Sequence, residues 1–181
     1  ALTPGVRLGP YEIRSPLGAG GMGEVYRAVD TRLDRIVAIK VLGASVASDA
    51  GLRERFEREA RTVSALNHPN ICALYDLGRD RDTDYLVLEY LEGDTLAARL
   101  EKGPLPVEQA IRVAIQIAAA LARAHGAGVV HRDLKPANII LARPGAGSTG
   151  SLQAKLLDFG LAKIRPAAAQ AAGLTALATA P

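Results

Sequence analysis

Eight residues constrain this chain more than any other stretch: His131-Arg132-Asp133-Leu134-Lys135-Pro136-Ala137-Asn138, followed by the apolar run Ile139-Ile140-Leu141. Proline lacks an N–H and disfavours helix for the residue before it, so the polar residues fall in a loop. Val129-Val130 ahead and Ile139-Ile140-Leu141 behind read as short buried strands that pin its ends. Such a loop offers a carboxylate, an ammonium and an amide close together. That set can hold a base, a charge neutraliser and a metal ligand around one substrate. An Asx-rich turn serving only its own backbone would account for Asp133 or Asn138 singly, but not for the set.

Upstream, Tyr11-Glu12-Ile13-Arg14 alternates like a strand and runs into Gly18-Ala19-Gly20-Gly21-Met22-Gly23. A GxGxxG string alone is a weak signal, because dinucleotide-binding folds use it too. There the glycines open a helix, whereas here Glu24-Val25-Tyr26-Arg27-Ala28-Val29 alternates as a second strand. Glycines between two strands make a flap whose backbone N–H groups can close over phosphates. An ordinary glycine-rich hairpin is the plain alternative. Arg35 to Leu42 reads as a third strand, with Ala38 and Lys40 on one face and Val37, Ile39 and Val41 on the other. Leu52, Phe56, Glu59, Val63 and Leu66 trace one helical stripe, which turns Glu59 inward. An inward carboxylate needs a cation, and Lys40 is the candidate.

Ile71 to Leu77 and Asp84 to Glu89 read as two more strands. Thr95 to Lys102, capped by Asp94 or Thr95, and Pro106 to His125 read as helices, the longer one buried on more than one side. Residues 142–151 form a flexible insertion, and Lys155-Leu156-Leu157 a strand that delivers Asp158-Phe159-Gly160.

Together these features resemble the protein kinase family over Tyr11 to Lys163, and Lys135 two residues after Asp133 is similar to its serine/threonine members. The resemblance implies an α+β fold. Residues 11–89 would be a five-stranded small lobe with one helix, 90–93 a linker, and 94–164 the first part of a mainly helical large lobe. Residues 1–10 are then a lead-in, and 165–181 the mobile start of an activation segment with two ordinary threonines, Thr175 and Thr179. The Lys40–Glu59 pair matches the family's strand lysine and helix glutamate, which hold the nucleotide phosphates. By the same resemblance Asp133 orients a substrate hydroxyl proton and Lys135 sits by the transferred phosphate. Asn138 and Asp158 hold Mg²⁺, and residues 18–23 cover the phosphates of ATP. The backbones of Glu89 and Leu91 hold the base, with Val25 and Ala38 above it and Ile140 below. Arg132 anchors a phosphorylated activation loop, while His131 and Phe159 pack between the lobes.

Composition narrows the partners. Apolar residues make up 49% of the chain but aromatics only 4%, so its core rests on Leu, Ile, Val and Ala. The formal charge of +3 is interspersed rather than blocked, which does not suit a nucleic-acid surface. The single cysteine, Cys72, cannot form an internal disulfide and reads as a small buried residue in a reducing compartment. No apolar run approaches a membrane span and no signal peptide precedes the domain, so a cytoplasmic setting is expected. The expected partners are ATP, Mg²⁺ and a protein bearing Ser or Thr, with a homodimer left open. The family continues well beyond its activation segment, so the expectation is an incomplete catalytic domain. Two alternatives stand beside it: a nucleotide-binding or scaffolding fragment without catalysis, and a small-molecule phosphotransferase of kinase-like fold, against which the flap and Lys135 argue.

Overall fold

Residues 1–20, 23–42, 50–143 and 152–159 are described by the structure, a computed structural model. Gly21, Met22, Gly160, most of the 142–151 insertion and all of 165–181, with Thr175 and Thr179, lie outside these residues.

The small lobe is an antiparallel sheet of β1 (Arg7–Leu8), β2 (Tyr11–Gly20), β3 (Gly23–Asp30), β4 (Arg35–Leu42), β5 (Leu74–Asp80) and β6 (Thr83–Glu89). Its spatial order is β1-β2-β3-β4-β6-β5. Helix α1 (Ala50–Ser64) packs toward β5. The second sheet joins β7 (Gly93–Thr95), β8 (Ile139–Ala142) and β9 (Gln153–Leu156), next to α2 (Leu96–Glu101) and α3 (Val107–Gly126).

Period two separates the faces of the first sheet. Ile13, Tyr26, Ala28, Val37, Ile39, Tyr85 and Val87 close an outer cluster. Leu86 joins the larger core between the lobes with Phe56, Ala60, Val63, Leu66 and Ile71 from the small lobe, and Ile117, Ile139 and Leu156 from the large one. Each large apolar side chain buried there contributes about 1.5–3 kcal/mol. The alternation expected for β4 is therefore observed, with Ala38 and Lys40 on the face opposite Val37 and Ile39.

Several boundaries differ from expectation for identifiable reasons. The lead-in folds, adding a sixth strand: Arg7–Leu8 pairs with Tyr11–Glu12, and Leu8 is buried. Val129-Val130 is not a strand; Val130 is 53% exposed, and the Val129 amide instead closes the end of α3 on the Ala124 carbonyl. The strand expected from Ile71 begins at Leu74, because Ile71 bridges to Leu156 of β9. Helix α3 is buried along a single stripe of Val113, Ile117, Ala120 and Ala124, while Ile111 and Ile115 are exposed. Pro106 is its N-cap rather than its first residue. Thr95 caps α2, its hydroxyl accepting from the Ala98 amide.

Candidate active site

The 131–138 loop is held from both ends. His131 is buried, its Nε2 donating to the Leu157 carbonyl at 2.8 Å while Nδ1 accepts from the Asp133 amide at 3.3 Å. The first partner can only accept and the second can only donate, which assigns the ring proton to Nε2. The ring also packs on Phe159, with centroids 4.8 Å apart, so both residues fill the space between the lobes as expected. Pro136–Asn138 forms one 3-10 turn, and the Asn138 amide donates to the Lys135 carbonyl. This turn carries Asn138 back to Asp133. Asn138 Nδ2 donates to both the Asp133 carbonyl (2.9 Å) and Asp133 Oδ2 (3.0 Å), and Lys135 Nζ reaches that same carboxylate oxygen at 3.0 Å.

Asp158 is brought to this loop by the backbone, since the Leu157 amide donates to the Asn138 carbonyl at 2.9 Å. Arg132 and Asp158 both have left-handed backbone, with φ of 60° and 54°, a conformation costly for a non-glycine residue. The packing of His131, Phe159 and β9 around them holds it in place. Asn138 Nδ2 is directed at Asp133, so its Oδ1 is the side-chain oxygen that could serve a cation, and Asp158 follows the residue whose amide bonds the Asn138 carbonyl. An amide and a carboxylate oxygen are the donor types a Mg²⁺ ion takes alongside phosphate and water.

The Lys40–Glu59 pairing is not what the structure contains. Lys40, 8% exposed, places Nζ 2.6 Å from Asp158 Oδ2. Glu59 is not turned inward: its side chain is 38% exposed and meets Arg132 at 4.0 Å. Phe56, Ala60 and Val63 occupy the buried stripe of α1 and leave Glu59 at its edge. The side chain of Leu52, the first residue of the expected stripe, is outside those described. Arg132 has this carboxylate beside it, while the segment it is expected to anchor lies outside the described residues.

Of the glycine stretch, Gly18, Ala19 and Gly20 pair with Val25, Glu24 and Gly23, so the flap is the end of the β2–β3 hairpin. Gly23 has φ of 122°, and a Cβ there would run into the Val41 carbonyl oxygen of the neighbouring strand. Its absence of side chain lets β3 and β4 approach. Val25 lies opposite Lys40, and Ala38 opposite Leu88, on the face that carries Lys40. Glu89 ends β6, Leu91 follows in the linker, and Ile140 is half-buried between Ile139 and Leu141 of the core.

Sequence reasoning missed the residues that pin β9. Asn70, 8% exposed, donates to the Ala154 carbonyl (2.8 Å) and to Gln116 Oε1 (3.2 Å), and that oxygen also accepts from the Ala154 amide at 2.6 Å. Two side chains thus satisfy both backbone groups of one edge-strand residue. The signal available was a pair of amides at positions where the flanking pattern is apolar. Cys72 is buried as expected, and burial pushes its thiol up to about 12, which leaves it inert.

The protein kinase domain profile matches residues 11–178. The serine/threonine-protein kinase pkn2 of Myxococcus xanthus is 44% identical over 156 residues, covering 86% of this chain and 18% of that protein. PrkC of Bacillus subtilis, also a serine/threonine-protein kinase, is 44% identical over 155 residues, covering 85% of this chain and 23% of that protein. The crystal structure of the Mycobacterium tuberculosis PknI kinase domain superposes with a TM-score of 0.77 at 32% identity, covering 90% of this chain and 63% of that one. The chain therefore spans roughly a fifth of these curated relatives. With its loop, its lysine and its metal-type ligands placed as described, and nearly its whole length inside one profile, this chain belongs to the protein kinase domain family.

Proposed function

We propose that this chain is the nucleotide-binding and catalytic-loop portion of an ATP-dependent serine/threonine protein kinase, which passes the γ-phosphoryl group of Mg·ATP to a protein hydroxyl. The observation that carries the reading is that two polar sets, Lys40 with Asp158 at 2.6 Å and Asp133 with Lys135 and Asn138 at 3.0 Å, are tied together by the Leu157 amide on the Asn138 carbonyl at 2.9 Å. Bound Mg²⁺ would neutralise phosphate charge, held by Asn138 Oδ1 and the Asp158 carboxylate. Lys40 moves from Asp158 to the phosphates as the nucleotide enters. Asp133 accepts the proton of the incoming hydroxyl, with Asn138 holding the carboxylate in place. Lys135, on the same carboxylate, offsets charge that builds on the transferred group. The Gly18–Gly23 backbone covers the phosphates, and the Glu89 and Leu91 backbones take the base. The named serine/threonine specificity of pkn2 and PrkC supports the choice of acceptor.

A second reading, a nucleotide-binding fragment without catalysis, is favoured by one observation: Lys40 is engaged by Asp158 and Glu59 lies against Arg132. ATP binding and phosphate transfer to Ser, Thr and Tyr peptides, compared between the wild-type chain and Asp133→Asn, separate the two. The kinase reading expects Mg²⁺-dependent binding in both proteins and transfer only in the wild type, to Ser or Thr. Binding without transfer selects the second reading. A folded chain that binds no ATP sinks both.

A further inference from the structure

Glu89 is held from behind. Lys155 Nζ contacts both of its carboxylate oxygens, at 2.7 and 2.8 Å, and the two side chains are only 12% and 23% exposed. Glu89 Oε2 also accepts from the Ala73 amide (3.2 Å), the Glu89 amide donates to the Ala73 carbonyl (2.9 Å), and Cys72 Sγ lies 3.6 Å from the Glu89 carbonyl. The 70–72 segment is itself laid along β9, with the Cys72 amide donating to the Leu156 carbonyl and the Leu156 amide to the Asn70 carbonyl. The contacts close a ring running from Glu89 at the end of β6 to residues 72–73, to β9, and through Lys155 back to Glu89.

This ring opens on a cleft of about 350 Å³ lined by Glu89, Lys155, Ala73, Tyr75, His68 and their neighbours. None of Lys40, Asp133, Asn138 or Asp158 lines it. The carboxylate of Glu89 is thus committed to a different face from the one carrying the chemistry and its amide to the Ala73 carbonyl, so its own carbonyl is the group that remains for the base. A largely buried ammonium that loses its carboxylate leaves an uncompensated charge, so the pair resists rearrangement. Lys155 lies in β9 and Asp158 two residues past its end, so the Glu89 clamp and that carboxylate are carried by one short segment.

We infer that Lys155 is a positioning residue for the purine: by clamping the Glu89 carboxylate it fixes the register in which the linker backbone meets the base. The inference rests on the kinase reading and deepens it. Its signature is selectivity, because a register error in the linker weakens contacts to the base and leaves those to the phosphates.

The test is calorimetric binding of adenosine and, separately, of Mg²⁺ with inorganic tripolyphosphate to the wild-type chain, Lys155→Met, Lys155→Arg and Glu89→Gln, with thermal melting as the check on folding. Lys155→Met is expected to bind adenosine about tenfold more weakly, equivalent to one lost charge-assisted contact, with tripolyphosphate within about twofold of wild type. Lys155→Arg, which keeps a cation able to grip both oxygens, is expected to retain adenosine binding. A folded Lys155→Met that binds adenosine as tightly as wild type, or that loses both ligands in proportion, overturns the inference. Should that variant fail to fold, Glu89→Gln decides on the same criterion: selective loss of adenosine supports the clamp and its absence refutes it. A wild-type chain that binds neither ligand overturns the kinase reading itself, and the clamp with it.

Discussion

Lys40 Nζ lies 2.6 Å from Asp158 Oδ2, so the buried cation of the small-lobe sheet and the carboxylate after β9 neutralise one another across the lobes. On the proposed function both groups would be wanted elsewhere, one by the phosphates and one by the metal. In the structure each compensates the charge of the other.

A divalent cation without nucleotide must compete with Lys40 for Asp158. Lys40→Met is therefore expected to raise nucleotide-free Mn²⁺ affinity several-fold while weakening ATP binding about tenfold or more. Paramagnetic titration with Mn²⁺ and calorimetry with ATP measure the two. Unchanged Mn²⁺ affinity would mean that the pair does not restrain the metal ligand.

The two ends of the glycine stretch should respond differently to a methyl group. Gly23→Ala is expected to lose more than about 1 kcal/mol of stability, because φ is positive and the Cβ meets the Val41 carbonyl. Gly18 has no neighbouring heavy atom within 4 Å of an added Cβ. Gly18→Ala should leave stability within about 0.5 kcal/mol of wild type in urea unfolding. Equal losses would contradict this placement of the hairpin.

Asn70 and Gln116 share one strand residue but serve opposite sides of its peptide groups. Either change to Ala should cost about 1–3 kcal/mol, since a buried backbone group is left without its partner. Hydrogen exchange distinguishes them. Gln116→Ala should unprotect the Ala154 amide strongly, whereas Asn70→Ala, which removes the partner of the carbonyl, should affect that amide less.

Tyr11 supplies a pH-dependent contribution. Burial, followed by the hydrogen bond it donates to Asp76 (2.9 Å) and the Asp76 charge, pushes its phenol up to about 12 from 10.0. The folded state therefore prefers the neutral form. The sign follows: the contribution is complete below pH 10 and is lost as pH rises through about 12. Urea midpoints of wild type should fall more steeply than those of Tyr11→Phe between about pH 9 and pH 11.5. Parallel slopes would show that Tyr11 is not the group responsible.

Legibility along the chain followed the range of the interaction being read. The faces of β4 were readable because alternation is a property of neighbouring residues. The 131–138 loop was readable because proline acts on its own backbone and on the residue before it. The end of Val129-Val130 was not, because an apolar pair reads the same in a strand as in a chain leaving a helix. The β1 pairing escaped notice because two residues carry too little pattern, and the shift from Ile71 to Leu74 because β9, through Leu156, competes for that backbone from far along the chain.

The sequence by itself determined which chemical groups are present, in what order, and on which side of each strand they stand, since those follow from local periodicity and backbone restrictions. Only the tertiary structure decided which carboxylate Lys40 meets and which cation Glu59 and Glu89 meet. Attraction between charges depends on separations of a few ångströms and on burial, both set by how α1, the linker and β9 pack against one another. A list of acids and bases contains the candidates for each pair, and packing selects among them.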